Sequence, residues 1–467
     1  MGRGLSVNLV DKGIGVVAWD RSEKALVETA WAEGSDIEIC RSLQDMVEKL
    51  APPRCILLSI PSGAPVDEVL SLLAAELSSG DVVAECGNSY FRDTKRRVAM
   101  MRAHNVAFLG IGVSGGPEGA RKGPAIMAGG DHEAWEKMHG VFNSIAAKVD
   151  NAPCCEFFGD GGAGQFVKMI HNGIEYAIMH LIMETYAILE RVCGFSPERI
   201  AREFERLETG PTACFLMRVS AKVSGARDPE HGQFLIDLVD DVAGQKGTGQ
   251  WTVQTALELG ISAPTLAEAV MSRSLSSNSI LRSNRIISGP SPVASSPSKE
   301  RLDIVDILPE ALALAFASAF VQGLSICDAA EPVLGQGLER EAILRSWRRG
   351  CILEGAMVER LLAAEIEDGA NKNILASGGI EPLVRDGREA LRKVVSDAVQ
   401  DGIPCSGLAS ALAYVEALQG SSLPTALIQL QRDFFGRHGL KDKEKGLPIQ
   451  APWFDDPNAS PKGKGSQ

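Results

Sequence analysis

Residues 164–176 read Gly-Gln-Phe-Val-Lys-Met-Ile-His-Asn-Gly-Ile-Glu-Tyr, and their polar side chains recur at the spacing of one helical stripe. The stripe consists of Lys168, His171, Asn172, Glu175 and Tyr176. Apolar residues fill most of the remaining surface, and such a helix is normally buried. Because Lys and Glu are rarely buried unpaired, the stripe should face a cavity, a ligand or another chain. The alternative is a solvated face with an incidental Lys–Glu pair.

The composition of the chain is that of a soluble globular protein. Its 467 residues are 45% hydrophobic and 23% charged, enough for two or more domains. A net charge of −13, without a basic run interleaved with aromatics, argues against nucleic-acid binding. The ten cysteines lack metal-ligand spacing, so we expect free thiols in a reducing compartment and no metal site. No apolar run reaches the ~18 residues of a membrane span; the longest, 311–327, predicts a buried helix.

Residues 1–160 alternate short β-like runs with helical stretches, which predicts a Rossmann-like α/β domain with a parallel sheet. The predicted strands are 14–19, 55–60, 82–85 and 106–109, with helices near 22–32, 43–50, 66–77, 91–103 and 132–143. Residues 161–431 predict a large all-α substrate and dimerisation domain, and 432–467 an extended tail. The long helical segments predicted in the all-α domain are 163–193, 302–330, 340–366 and 381–400. A Ser/Pro-rich loop is predicted at 283–299.

Four further segments have the composition of binding sites. They are 87–94, 110–119, 243–252 and 431–438. Asn88 follows a predicted strand, where open α/β sheets bind ligands. The glycines of 110–119 would let backbone N–H groups approach an anion, although a plain loop is an equal alternative. Lys246 and Thr248 in a glycine-rich loop suit a phosphate. Arg432 is compatible with either a ligand or a structural ion pair.

Taken together, these segments resemble the decarboxylating 6-phosphogluconate dehydrogenases. The resemblance rests on GVSGGPEGAR (112–121), FVKMIHNGIEYA (166–177), AGQKGTGQWT (243–252) and LIQLQRDFFGRH (427–438). Related hydroxyacid dehydrogenases share a glycine-rich turn and a lysine helix, but not QKGTG or QRDFFG. The resemblance implies oxidative decarboxylation of 6-phospho-D-gluconate to D-ribulose 5-phosphate and CO2 with reduction of NADP. That reaction belongs to the oxidative pentose phosphate pathway (the pentose shunt) and to gluconate utilization.

The resemblance also implies roles for individual residues. Lys168 corresponds to the general base that takes the proton of the C3 hydroxyl, and Glu175 to the acid that protonates C1 of the enediol. A lysine base must be neutral near pH 7, so we expect Lys168 to be shielded. The substrate-binding residues implied are Asn88, Ser114, Gly115, Gly116, His171, Asn172, Tyr176, Lys246, Thr248, Arg273, Arg432 and His438. In the family the last two come from the second subunit, which implies a homodimer with composite sites.

The dinucleotide site departs from this pattern. A Rossmann domain begins with a strand and a glycine turn onto a helix N-terminus. Here Met1-Gly2 aligns with the end of that turn, so the first strand is missing. Two explanations compete. We favour an internal Met of a longer reading frame over a shortened, cofactor-impaired paralogue.

The cofactor-binding residues implied by the resemblance lie in the α/β domain. They are Gly2, Asp20, Arg21, Ser22 and Asn88. Arg21 and Ser22 suit the 2′-phosphate of NADP, whereas an acidic Asp20 normally favours NAD, the less favoured cofactor here.

Three functional hypotheses remain open at this point. The leading one is the NADP-dependent dehydrogenase. A second is a non-catalytic relative that binds a sugar phosphate or dimerises. A third is a dehydrogenase of another β-hydroxyacid, which would have no use for Lys246, Arg273 and Arg432. We expect a cytoplasmic location, with an organelle open if the reading frame starts upstream of Met1.

Overall fold

The structure, a computed structural model, describes residues 1–25, 37–283, 303–369, 373–420 and 422–454. It divides into two compact units, Met1–Leu412 and Ala413–Gln467. The first unit begins with an α/β region. Its elements are α1 (Gly2–Asp11), β1 (Val16–Ala18), β2 (Ile37–Ile39), α2 (Leu43–Lys49), β3 (Cys55–Leu58), α3 (Ala64–Glu76), β4 (Val82–Glu85), α4 (Phe91–Ala103), β5 (Ala107–Val113), α5 (Gly116–Lys122), β6 (Ile126–Gly130), α6 (His132–Ile145), β7 (Lys148–Val149), β8 (Ala152–Pro153) and β9 (Cys155–Phe157).

The main sheet has the strand order β3-β4-β5-β6-β9. Strands β3, β4 and β5 are parallel, β6 is antiparallel to β5, and β9 is parallel to β6. Strand β4 is buried along its whole length, as expected of a central strand covered on both faces. Leu5 of α1 and Phe142 of α6 contribute to one core cluster of the region, and Leu70 of α3 and Met101 of α4 to another. The carboxyl ends of the three parallel strands therefore meet at one edge.

A second, two-stranded sheet stands where the main sheet should continue. Strand β1 pairs in parallel with β2, while β3 pairs only with β4 among the described residues. Val16 of β1 and Leu57 of β3 nevertheless pack against the same core cluster. In a doubly wound sheet with strand order 3-2-1-4-5-6, the first strand lies between these two positions. The predicted Rossmann-like α/β domain is thus confirmed, with its sheet divided between β1 and β3 among the described residues.

Several predicted boundaries in this region were wrong. Strand 106–109 extends to Val113, so Gly110 and Gly112 belong to the strand and not to a turn. The run 14–19 pairs only over Val16–Ala18. The sequence prediction missed β6 and β9, whose short runs of small and aromatic residues lack a clear alternation. The predicted helix 22–32 and loop 283–299 fall largely outside the described residues.

The rest of the first unit is helical. Its helices are α7 (Ala163–Arg191), α8 (Pro197–Leu207), α9 (Phe215–Ser224), α10 (Thr248–Glu258), α11 (Pro264–Ser276), α12 (Ser279–Ser283), α13 (Asp303–Asp328), α14 (Glu331–Leu334), α15 (Arg340–Trp347), α16 (Ala356–Asp368), α17 (Glu381–Gln400) and α18 (Ser406–Gln419, which runs into the second unit), with 3-10 turns at Leu235–Asp237 and Ile374–Ala376. Helix α13 is long and apolar enough to cross a membrane, but 72% of its most apolar window is buried inside the protein, as in a core helix.

The predicted continuous helix 340–366 was wrong. The chain leaves α15 after Trp347 and re-enters a helix at Ala356. Gly350 has a φ of +74°, which a helix does not tolerate. A Cβ on Gly355 would lie 2.4 Å from the Ala213 carbonyl oxygen, so this turn packs backbone against backbone.

The second unit contains the end of the described chain. Its elements are α19 (Ala426–Gly436), β10 (Leu440–Lys441), β11 (Pro448–Ile449) and a 3-10 turn at Pro452–Phe454. The indole Nε1 of Trp453 donates to Asp433 Oδ2 at 3.1 Å and ties the turn to α19. The predicted domain boundaries after residues 160 and 431 stay predictions.

Candidate active site

Helix α7 is packed so closely on several sides that only one stripe of it can face a site. A Cβ on Gly112 of β5 would lie 2.4 Å from Lys168 Cβ, and a Cβ on Gly164 2.5 Å from the Ala128 carbonyl carbon. On the helical side, a Cβ on Gly173 would lie 2.5 Å from Thr252 Cγ2. Glycines at these contacts bring the sheet and α10 against α7 at backbone distance.

The polar stripe of α7 is buried. Lys168 is 5% exposed, His171 is fully buried and Asn172 is 8% exposed. Glu175 retains 22% of its side-chain exposure. The interpretation as a solvated face was therefore wrong, and the stripe is an internal polar surface that needs partners.

A chain of polar contacts joins the stripe to the turn after β5. Lys168 Nζ lies 3.3 Å from His171 Nδ1, and His171 Nε2 lies 3.2 Å from Ser114 Oγ. An ammonium can only donate, so when Lys168 is charged Nδ1 must accept and Nε2 carries the proton that is donated to Ser114. The Ser114 hydroxyl then has its own proton free to donate to an anion.

Burial shifts the pKa values of Lys168 and Glu175 toward one another. Desolvation lowers the pKa of Lys168, although the nearby Glu175 carboxylate opposes the shift. Desolvation raises the pKa of Glu175, while Lys168 and Arg273 oppose it. Burial, followed by the Lys168 charge, holds the pKa of His171 well below its usual value. A base and an acid with pKa values displaced in these directions are typical of a catalytic pair.

The other end of the stripe meets a cationic corner. The Arg273 guanidinium lies 3.7 Å from the centre of the Tyr176 ring, and its Nη1 donates to the Gly244 carbonyl at 3.0 Å. This second contact holds the loop that carries the exposed Lys246. Thr248 is buried as the first residue of α10. The structure thus brings Tyr176, Lys246, Thr248 and Arg273 to one corner.

The turn after β5 lies at the carboxyl edge of the parallel strands. Ser114 is buried, whereas Gly115 and Gly116 are half-buried and have φ values of +97° and +65°. A Cβ on Gly115 would lie 2.5 Å from the Gly350 carbonyl oxygen, so only glycine fits there. Asn88 is exposed just beyond β4, at the same edge.

Two predicted site residues belong to the second unit. Arg432 is exposed on α19 and donates to Gln429 Oε1 at 3.1 Å. His438 is exposed beyond the helix end. Both therefore stay predicted site residues that rest on the sequence.

The residues predicted for a dinucleotide fit such a group. Helix α1 has no side-chain cap and no acidic residue in its first turn, so its backbone N–H groups are free for a pyrophosphate. A Cβ on Gly2 would lie 3.3 Å from Ser59 Cβ, which places this helix end beside the carboxyl end of β3. Asp20, Arg21 and Ser22 are exposed beyond β1, and Asp20 Oδ1 accepts the Ser22 backbone N–H at 2.8 Å.

Sequence reasoning missed residues that support the stripe. Trp347 is fully buried, and its ring meets the His171 ring edge-on at 5.7 Å. Gln165 Nε2 donates to the Gly87 carbonyl at 3.0 Å and anchors the start of α7 to the end of β4. Cys351 is buried near the Lys168 charge, and burial raises the pKa of its thiol to about 12. No local pattern marks these residues, because long-range packing creates their roles. In the described part of the chain, no group of three or more His, Cys, Asp or Glu side chains is arranged to hold a metal ion.

Comparison with known proteins agrees with the geometry. A family model described as the NAD binding domain of 6-phosphogluconate dehydrogenase matches residues 1–159, and one described as the C-terminal domain of that enzyme matches 164–453. The NADP(+)-dependent, decarboxylating 6-phosphogluconate dehydrogenase of Bacillus subtilis is 35% identical, over 97% of both chains. The decarboxylating enzyme of Rattus norvegicus is 37% identical over 94% of this chain and 91% of its own.

A solved structure shows the same likeness in three dimensions. The 6-phosphogluconate dehydrogenase of Plasmodium falciparum, described in its apo form and in complexes with NADP+ and with 6-phosphogluconate, superposes with a TM-score of 0.89. It is 29% identical, over 97% of this chain and 98% of its own. On the matched families, the relatives and the architecture, the chain belongs to the decarboxylating 6-phosphogluconate dehydrogenase family.

Proposed function

We propose that this chain catalyses the NADP-dependent oxidative decarboxylation of 6-phospho-D-gluconate to D-ribulose 5-phosphate and CO2. The observation that carries the proposal is the buried stripe on which Lys168 and Glu175 flank His171, with an arginine corner at its far end. Such a site offers a base, an acid and a phosphate pocket to one phosphorylated hydroxyacid. The reaction is the oxidative decarboxylation step of the pentose phosphate pathway.

Substrate binding follows from the polarity of the stripe. The carboxylate would be held by the Ser114 hydroxyl and the backbone N–H groups of Gly115 and Gly116, with His171 orienting Ser114. The phosphate would lie at the opposite end, where Lys246 and Arg273 supply a local pair of cations in a protein whose net charge is −13. Tyr176 and Thr248 would add hydroxyl donors there, and Asn88 and Asn172 would meet the hydroxyls of the sugar chain.

Lys168 performs the first proton transfer. In its neutral form it accepts the proton of the C3 hydroxyl while hydride leaves C3, and burial favours that form by lowering the pKa of Lys168. The protonated amine then donates to the C3 oxygen as the C1–C2 bond breaks and CO2 leaves. The developing negative charge is thereby stabilised in a site that excludes most water.

Glu175 performs the last proton transfer. The remaining enediol needs a proton on its terminal carbon, and a protonated carboxyl is the donor. Burial raises the pKa of Glu175 and so keeps its carboxyl protonated over a wider pH range. Lys168 takes back the proton of the C3 oxygen as the ketone forms.

NADP, when bound, supplies a nicotinamide that accepts the hydride. The N-terminus of α1 at Gly2 would hold its pyrophosphate, and Arg21 and Ser22 its 2′-phosphate. Asn88 stands at the strand edge between the two binding regions. The Asp20 carboxylate there opposes a second phosphate.

We also propose a homodimer with composite sites. Large apolar side chains are exposed on α11 and α12, at Met271, Leu275, Ile280 and Leu281. Within the second unit, Phe434 and Phe435 of α19 are 62% and 75% exposed. Exposed apolar surfaces of this kind mark protein interfaces. A dimer would let Arg432 of the partner subunit and His438 of the partner subunit complete the phosphate corner.

Subunit mixing tests the composite site. Lys168→Met and Arg432→Ala homodimers should each be nearly inactive. Reassembled mixtures should regain activity, because a heterodimer contains one intact site. Failure of the mixture to exceed its parents, with a monomer in light scattering, would contradict the composite site.

The reaction itself is tested by incubating the chain with 1-13C-labelled 6-phosphogluconate and NADP. NADPH absorbance and labelled CO2 should appear in equal amounts. A second candidate function is a cofactor-impaired protein that only binds the sugar phosphate. It is favoured by the facing edges of β1 and β3, which pair with no other strand among the described residues. Calorimetric binding of 6-phosphogluconate without any NADPH formation would establish it instead.

The predicted division into domains 1–160, 161–431 and 432–467 remains part of the proposal, as does a cytoplasmic location. The location is supported by the cysteines, because all ten lie among the described residues and no disulfide joins any two of them, as expected in a reducing compartment.

A further inference from the structure

The proposed reaction leaves Lys168 and Glu175 in the opposite protonation states from those in which each turnover begins. C3 gives up a hydride and a hydroxyl proton, C1 leaves as CO2, and the terminal carbon of the enediol gains one proton. The substrate carboxylate and NADP+ therefore yield neutral CO2, the ketose and NADPH with no net proton. Lys168 nevertheless ends each cycle with one proton more, and Glu175 with one proton fewer.

Before the next turnover, Lys168 must lose a proton and Glu175 must gain one. No direct ion pair joins the Lys168 amine to the Glu175 carboxylate in the described part of the chain. His171 lies between them, with Nδ1 at 3.3 Å from Lys168 Nζ and at 3.8 Å from Glu175 Oε2. We propose that His171 Nδ1 carries the proton from Lys168 back to Glu175 and so resets the site between turnovers. This inference rests on the proposed function.

The surroundings of His171 suit a shuttle that uses one nitrogen. Nε2 contacts Ser114 Oγ at 3.2 Å, so it can keep its own proton while Nδ1 accepts and releases another. Trp347 packs edge-on against the ring, with the ring centres 5.7 Å apart and an interplanar angle of 80°, and so limits rotation of the imidazole. Asn172 Oδ1 lies 3.3 Å from Nδ1 and can accept the transient N–H.

The energetics are consistent with a brief imidazolium. Burial lowers the pKa of Lys168 and raises the pKa of Glu175, which makes the transfer between them less uphill than in water. The pKa of His171 is held well below its usual value by burial, so the protonated ring does not accumulate. Because the His171 ring holds the proton only briefly, the site does not remain with a protonated imidazole between turnovers.

The test compares the first turnover with the later ones. In His171→Ala, NADPH formation with enzyme in excess over substrate should slow less than ~10-fold, because a correctly protonated site is already present. Steady-state turnover at saturating substrate should fall ~100-fold or more, the usual effect of losing a proton-transfer group. Added imidazole should enter the space left by the ring and restore turnover at least ~5-fold. The same two measurements on the wild-type protein show whether slow product release alone makes the first turnover faster than the later ones, which would appear as a burst of NADPH.

His180→Ala is the matched control. His180 is also buried on α7, but it pairs with Glu184 at 3.0 Å rather than with the stripe. Its loss should change the stability of the protein. The first turnover should not be faster than the later ones by more than in wild type, and added imidazole should not raise the rate. If His171→Ala slows both phases equally and imidazole restores nothing, the shuttle is refuted while the reaction stands. If wild type forms no NADPH, the proposed function itself fails.

Discussion

The substitution Gly112→Ala perturbs the candidate base without touching any polar group. The new Cβ would lie 2.4 Å from Lys168 Cβ, 3.0 Å from Lys168 Cγ and 3.2 Å from the Gly164 carbonyl oxygen. Carbon atoms in contact prefer about 3.5–4.0 Å, so α7 or the lysine stem must move by roughly 1 Å. A misplacement of that size costs about 100-fold in rate, and overpacking costs about 1–3 kcal/mol in stability.

The assay is steady-state NADPH formation together with thermal unfolding. Gly140→Ala is the control, because Gly140 is exposed on α6 and a Cβ there meets nothing within 4 Å. That substitution should leave turnover unchanged and stabilise the chain by about 0.5–1 kcal/mol. If folded Gly112→Ala retains full kcat, close packing of β5 against α7 does not position Lys168.

Three further predictions address the phosphate corner, the cofactor and the acid–base pair. Arg273→Met should raise the Kd of 6-phosphogluconate about 10- to 100-fold in calorimetry and leave gluconate binding unchanged. Asp20→Asn should lower the Kd of NADP ~3–10-fold and weaken NAD binding, measured by fluorescence titration; an unchanged ratio would exclude Asp20 from cofactor choice. The wild-type profile of kcat/KM should be bell-shaped, because Lys168 must be neutral while Glu175 is protonated. In Glu175→Gln the residual rate should lose its alkaline fall and rise to a plateau, since only deprotonation of Lys168 remains.

The sequence predicted the parts of the site that lie on one regular element. The α7 stripe could be recognised because Lys168, His171 and Glu175 follow helical spacing, and its burial followed from the apolar residues around it. The strand edge at Asn88 was predictable because a buried run precedes it. The Rossmann-like α/β domain was also predicted, from the alternation of β-like runs with helical stretches, and the parallel strands β3, β4 and β5 confirm it.

Other features depended on packing between distant segments. The glycines of β5 were interpreted as an anion-binding turn, although Gly110 instead admits Thr94 of α4, and Gly112 admits Lys168 of α7. The break after Trp347 was missed because helix-forming residues surround it, and the backbone contact between Gly350 and Ala125 that stabilises it joins segments far apart in sequence. For the same reason no pattern could assign Trp347 to the His171 ring.

The protonation state of Lys168 is the most direct test of the proposed chemistry. Nitrogen-15 labelling of lysine side chains, with Lys168→Met to assign the signal, reports that state by NMR in the complex with 6-phosphogluconate. We expect the Lys168 amine to lose its proton at a lower pH than an exposed lysine does, because burial lowers the pKa of this group. A signal that stays fully charged at pH 8 in the substrate-bound protein would contradict its role as the base.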